Sequence, residues 1–170
     1  MGGMMKIVSA QQDSKRPAGV PPINDPVRVT LDCKVWYDTG AGLKLSTGAI
    51  FCERRFAETV LAALEAKCVK YGYGLVHVGI YAPRLARHED GTPILIEGKP
   101  RVSNHNGRAI DWKGFKLPDG TYLTVPNMRK NAPARYIEIL DHCRHMMRAI
   151  GLRAEVQPES TWTHLAFWPM

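Results

Sequence analysis

A chain of 170 residues, 45% apolar and 23% charged, is long enough for one domain with a real core and too short for several. No apolar run reaches the length of a membrane-spanning helix. The net charge of +7 suits anionic partners such as nucleic acid or an acidic cell envelope. The basic residues are scattered, however (Arg54 and Arg55, Arg84 and Arg87, Lys99 and Arg101, Arg129 and Lys130, Arg144 and Arg148), and no zinc-finger, RNA-recognition or helix-turn-helix signature accompanies them. No specific nucleic-acid partner is expected.

Residues 1–24 are rich in Gly, Lys, Gln and Pro, lack the apolar block of a signal peptide, and predict a flexible N-terminal arm; Pro21, Pro22 and Pro26 mark entry into a domain over 25–170. Val27 to Trp36 alternates apolar and polar residues, as a strand does. After a turn at Asp38–Gly42, Phe51 to Tyr71 reads as a helix. Phe56, Val60, Leu64 and Cys68 line its inner face, with Glu53, Arg54, Glu58, Glu65 and Lys67 toward water. Gly72 and Gly74 stop it.

Leu75 to Tyr81 predicts a second strand and Pro93 to Glu97 a short one. Pro118-Asp119-Gly120 joins Phe115–Leu117 to Tyr122–Val125 as a hairpin. Asn127 to Pro133 is polar and loop-like. Tyr136, Leu140, Cys143, Met147 and Ile150 predict a second long helix over Ala134–Ile150, capped by Gly151. Leu152–Val156 and Thr163–Phe167 close the chain as strands. The sum is an α+β domain, a mainly antiparallel sheet packed with two long helices.

The chemistry concentrates in Ser103-Asn104-His105-Asn106-Gly107-Arg108-Ala109-Ile110-Asp111 and in Trp162-Thr163-His164. Ala109 and Asp111 share one face of a strand, with Ile110 on the other. Gly107 permits a tight bend that turns His105 back toward the carboxylate. A lone His beside an Asp is most often only a hydrogen-bonded pair. His164 adds a further imidazole on a half-buried sheet face, where it needs a partner, and a metal can supply one. Two imidazoles and a carboxylate with one open position make the usual donor set of a catalytic zinc site.

With these residues in place, the chain resembles the extensin-like branch of the D-alanyl-D-alanine carboxypeptidase superfamily of zinc peptidases. The resemblance rests on Tyr81-Ala82-Pro83-Arg84, on Ser103, His105, Gly107, Ala109 and Asp111 in order, and on Gly114-Phe115 followed by the Asp119-Gly120 hairpin. It rests also on Leu45-Ser46-Thr47-Gly48-Ala49-Ile50-Phe51-Cys52 leading into a helix, and on a late His preceded by an aromatic. It covers about Leu45 to Trp168.

The resemblance implies that His105, Asp111 and His164 hold Zn2+, that Arg84 stabilises a developing oxyanion, and that a nearby carboxylate serves as general base and then acid. It implies peptidoglycan stem peptides as substrate, cleaved at a D-alanyl or L-alanyl-D-glutamyl linkage. Trp36, Trp112, Trp162 and Trp168 read first as core and rim packing; Ser103, Trp112 and Trp162 are the candidate substrate-binding residues, Trp112 because it adjoins Asp111. Without a standard signal, a phage lysin or virion-associated wall hydrolase, or periplasmic or wall placement by non-standard export, is the expected setting.

The chain departs from the family pattern twice. Asn106 to Ile110 are one residue fewer than the family places between His and Asp, and on a strand a one-residue slip reverses the face. Thr161 stands where the family carries its catalytic acid, leaving Glu159 as the nearest carboxylate in sequence. A catalytically inactive structural or wall-binding module that keeps the fold is therefore the alternative.

Among the other histidines, His77 reads as a core or supporting group, His88 as a solvated loop residue, and His142 and His145 as a helical pair without a third ligand. Cys33, Cys52, Cys68 and Cys143 form no Cys-x-x-Cys pair. They read as buried free thiols, with a Cys33–Cys52 disulfide left open.

Overall fold

The computed structural model describes residues 4–169, so residues 1–3 and Met170 lie outside the described residues. In chain order the first strands are β1 (Lys6–Ser9), β2 (Pro26–Thr30), β3 (Val35–Asp38), β4 (Leu43–Ser46) and β5 (Ile50–Glu53). The alternation over Val27–Trp36 is real, but the chain bends between Leu31 and Lys34 and divides it between two sheets. β2 lies between β1 and β5 in a three-stranded antiparallel sheet, and β3 enters the main sheet. The stretch whose composition predicts an arm instead supplies β1, in which Ile7 pairs with Val29. Val20 and Ile23 are buried, and the Gln12 amide clasps the Ile23 backbone, accepting from its N–H at 2.9 Å and donating to its carbonyl at 2.7 Å. A few apolar residues among polar ones are enough to fasten such a segment.

The first helical stretch begins at Arg54, because Phe51–Glu53 belong to β5. It runs as α1 (Arg54–Phe56), a π-helical segment (Ala57–Leu61) and α2 (Ala62–Tyr71). Phe56, Val60, Leu64 and Cys68 are fully buried, as the spacing requires. Glu53 and Glu65, expected on the wet face, are buried too. Each has a partner that makes this tolerable: Glu53 is paired with Arg55 and Arg108, and Glu65 accepts the Asp32 N–H at 2.8 Å.

The remaining strands are β6 (Gly74–Gly79), β7 (Leu95–Ile96), β8 (Lys99–Pro100), β9 (Ala109–Lys116), β10 (Tyr122–Thr124), β11 (Leu152–Pro158) and β12 (Thr163–Pro169). The loop expected over Asn127–Pro133 is helical instead, forming α3 (Val125–Asn131). The Thr124 hydroxyl caps it by accepting the Asn127 N–H at 3.2 Å, and Pro126 sits in its first turn. The long second helix is α4 (Pro133–Ala149), so α4 and the α1–α2 stretch are the two long helical units.

The main sheet has the order β11-β12-β9-β6-β3-β4, with β10 on β9 and only β3–β6 parallel. Its inner face (Leu75, Ile110, Trp112, Phe115, Leu165, Phe167) packs on Phe56, Leu61 and Leu64 of the first helical stretch and on Tyr136, Ile139, Leu140, Cys143 and Met147 of α4. The fold is thus an α+β domain around one core, and the alternate residues of β9 and β12 face away from the helices. Paired offsets in the β6–β9 ladder, one residue on each strand, leave Gly79 opposite Asp111 and His77 opposite Trp112. At the wider end of this distortion Gly114 has φ +143, and a Cβ there would lie 2.1 Å from the Leu123 carbonyl oxygen.

Candidate metal centre

β9 and β12 pair antiparallel with His164 directly opposite Asp111 and Leu165 opposite Ile110. Opposed residues share a face. The carboxylate and the late imidazole therefore stand side by side on the surface away from the helices. His105 reaches the same place from the loop before β9. The Ala82 N–H donates to the His105 carbonyl at 2.8 Å, and the Glu53 N–H donates to the Gly107 carbonyl at 3.0 Å. Gly107 takes φ +89, packed against Ile23 and the Glu53 backbone. That left-handed residue lets the short loop turn His105 over the sheet.

His164 Nδ1 lies 2.9 Å from Asp111 Oδ1, and His105 Nε2 lies 3.3 Å from Asp111 Oδ2. Ligand atoms of the three residues all fall within 4.8 Å of one another. His105 is buried and the other two partly so. The outward nitrogens are also engaged: His105 Nδ1 is 3.4 Å from the Ile80 carbonyl, and His164 Nε2 is 3.0 Å from Asn104 Nδ2. Burial works against ionisation of Asp111, but hydrogen bonds from His105 and His164 outweigh it and hold its carboxyl well below the usual carboxylate range. An ionised carboxylate between two imidazoles is a donor set that fits a divalent cation of zinc type.

The other expected residues divide. Ser103 Oγ accepts the His105 N–H at 3.2 Å and so shapes the loop. Trp162 is partly exposed at the head of β12, its carbonyl accepting the Glu159 N–H at 2.8 Å and an Arg129 N–H at 3.0 Å. Trp112 does not line a groove. It is fully buried on the helix side, stacked on Tyr136 and donating its indole N–H to the Gly114 carbonyl. Its neighbour Asp111 is on the outer face, so strand alternation sends the indole inward. Glu159 and Arg84 are both exposed, Glu159 in the turn between β11 and β12 and Arg84 on the segment leaving β6. Glu159 is not among the three clustered side chains.

Two residues that sequence reasoning missed stand beside the cluster. Glu155 on β11 places Oε1 3.9 Å from His164 Nε2, while its Oε2 accepts from the Asn104 amide and from the Trp168 indole N–H. Asn104 is buried next to His105. The signal for Glu155 lay in hairpin register: Gln157 is opposite His164 and Glu155 opposite Ala166, so Glu155 is the diagonal neighbour of His164 on one face.

His77 is buried on β6 with Nδ1 unpartnered and a Tyr37 ring edge-on at 5.7 Å. Burial pushes its imidazole down to about 4, against the pull of Asp111. The four cysteines are free thiols. Cys33 lies against Cys68 rather than Cys52, and that contact and burial push the Cys68 thiol up. Arg129, read as scattered charge, is a structural tie: besides the Trp162 carbonyl it binds the Glu159 carbonyl and Thr163 Oγ1.

No protein-family model, no curated protein and no solved structure matches this chain.

Proposed function

We propose that the chain is a zinc-dependent peptidoglycan peptidase that hydrolyses an amide bond of the wall stem peptide, of the D-alanyl or L-alanyl-D-glutamyl type. The observation that carries this reading is the convergence of His105 Nε2, the Asp111 carboxylate and His164 Nδ1 on one side of one sheet face. Bound there, zinc would supply Lewis-acid chemistry, acidifying a water and polarising the scissile carbonyl.

The chain's own groups divide the remaining work. Asp111 stays ionised between its two imidazoles. The Ile80 carbonyl faces His105 Nδ1 and turns Nε2 inward. Arg84 would meet the developing oxyanion from the segment leaving β6, and Glu159 would act as general base from the β11–β12 turn, its side chain swinging toward β12. Ser103 and Trp162 would border the substrate. The net charge of +7 favours stem peptides with free carboxylates. Delivery by a phage particle or lysis system, or action in the periplasm or wall, is part of the same proposal.

A second reading, a catalytically inactive wall-binding module, is favoured by one observation: Glu159 and Arg84 are both exposed. The test is elemental analysis with a wall-lysis assay. The peptidase reading expects one zinc per chain, lost with lytic activity in His105→Ala and His164→Ala, and a Glu159→Gln variant that keeps zinc but not turnover. Full activity in Glu159→Gln removes that residue from the mechanism. Zinc-loaded protein that sediments with purified sacculi yet releases no new amine ends supports the module instead.

A further inference from the structure

The metal-binding reading leaves open what decides which nitrogen of His164 faces the cation, and the contacts around its ring answer it. Asn104 Nδ2 points at His164 Nε2 at 3.0 Å, an arrangement in which Nε2 accepts and the proton sits on Nδ1, facing Asp111. A cation at Nδ1 demands the reverse, with the lone pair on Nδ1 and the proton on Nε2. That N–H then needs an acceptor, and the Asn104 NH2 group is not one.

Glu155 is placed to be that acceptor. Its Oε1 is 3.9 Å from Nε2, so closure by about 1 Å makes an ordinary hydrogen bond. Its Oε2 is already fixed by the Trp168 indole and the Asn104 amide, and the Arg101 guanidinium covers that indole at 4.4 Å. The carboxylate is thus held by one oxygen and offers the other to His164. A flipped Asn104 could present its carbonyl instead, but that would set the carbonyl oxygen against the Glu155 carboxylate and forfeit the amide's bond to it. A carboxylate on the far nitrogen of a ligating histidine fixes the tautomer and strengthens the ligand.

We propose that Glu155 is a positioning residue that selects the ligating nitrogen of His164, accepting Nε2–H while Nδ1 faces the metal. The inference rests on the metal-binding reading above. It is independent of whether the chain cleaves peptide, so its test reads affinity and tautomer rather than turnover.

The experiment measures zinc affinity of the full chain by competition with a chromophoric chelator, for wild type and Glu155→Gln. Long-range 1H–15N spectra of the histidine rings accompany it. The expected result is a loss of about tenfold or more in zinc affinity, with the thermal midpoint of the zinc-free variant unchanged and His164 protonated on Nε2 in the zinc-loaded wild type. A variant that merely lost structure would lower that midpoint as well. If Glu155→Gln does not fold, the wild-type spectra decide alone. Affinity within about threefold of wild type, short of the roughly tenfold or greater loss expected on removing a supporting carboxylate, overturns the role of Glu155. So does a zinc-loaded wild type carrying its His164 proton on Nδ1. A wild type that takes up no zinc overturns the metal reading itself, and this inference with it.

Discussion

His164 stands directly opposite Asp111 across the β9–β12 ladder, its Nδ1 2.9 Å from the carboxylate, and the same carboxylate meets His105 Nε2 at 3.3 Å. One side chain thus links a strand pair to a loop. A ligand that binds all three residues ties the loop to the sheet, and it binds the folded chain in preference to the unfolded one.

That linkage predicts zinc-dependent stability. At free zinc about a hundredfold above the dissociation constant, the folded state gains about 2.7 kcal/mol. Thermal unfolding with and without a chelator measures it. Asp111→Asn and His105→Ala should each abolish the gain while leaving a folded, zinc-indifferent protein. An equal rise in midpoint for wild type and both variants would show that zinc binds elsewhere.

A second prediction concerns pH and a residue outside the cluster. The His77 imidazole titrates near 4 in the folded chain against 6.5 ordinarily, because burial disfavours its charged form. The unfolded chain binds the proton first as pH falls, so His77 costs nothing above about pH 6.5 and progressively destabilises the fold down to about pH 4. At about 1.4 kcal/mol per pH unit the full effect is about 3 kcal/mol. His77→Phe, which keeps a ring against Tyr37, should remove that slope. Urea titrations at pH 7, 5 and 4 would show it as a smaller loss in the variant, and parallel losses would refute it. Asp111 works in a separate window: its depressed carboxyl stabilises the fold above its ordinary value of 3.8 and loses that contribution only as pH falls below it.

How far the sequence revealed all this depends on which physics each feature obeys. Strand alternation and the helical spacings of Phe56–Cys68 and Tyr136–Met147 are local, and they read correctly. The convergence of His105, Asp111 and His164 was legible as well, because Gly107 and the β9 alternation are also local. Glu53 and Glu65 misled because a carboxylate's burial is decided by partners remote in sequence, Arg108 for one and the Asp32 N–H for the other. Trp112 is in the core, as its first reading had it, and not in a groove, because a strand residue next to Asp111 in sequence lies on the opposite face. Glu155 stayed hidden because its distance to His164 follows from hairpin register, which no single segment contains.

Buried Glu53 yields a third prediction. Its carboxylate is fully buried between Arg55 and Arg108, and the N–H of the same residue holds the Gly107 carbonyl. Removing one member of such a network leaves the partner charges uncompensated, at a cost of about 3–5 kcal/mol. Glu53→Ala should lose about that much in denaturant unfolding at neutral pH. A change under about 1 kcal/mol, the value of an exposed pair, would mean that Arg55 and Arg108 find water when the carboxylate is gone.

The loop that carries His105 turns on Gly107, and there the last prediction can separate fold from site. A Cβ at Gly107 would lie 2.9 Å from Ile23 Cδ1 and 3.2 Å from the Glu53 backbone nitrogen, at φ +89. The isoleucine tip can give way, but the β5 backbone cannot. An alanine must either accept a strained left-handed backbone, at about 1–3 kcal/mol, or swing the loop away from β5. Either route moves His105 and leaves the β9–β12 register of Asp111 and His164 intact. Gly107→Ala should therefore lower stability by about that amount and weaken zinc binding more than a stability loss of this size would by itself. The same substitution at Gly120, in the exposed hairpin turn with φ +89 and open space around it, carries the backbone strain alone and serves as the control. Zinc affinity unchanged in Gly107→Ala, or reduced equally in Gly107→Ala and Gly120→Ala, would show that the loop does not position His105.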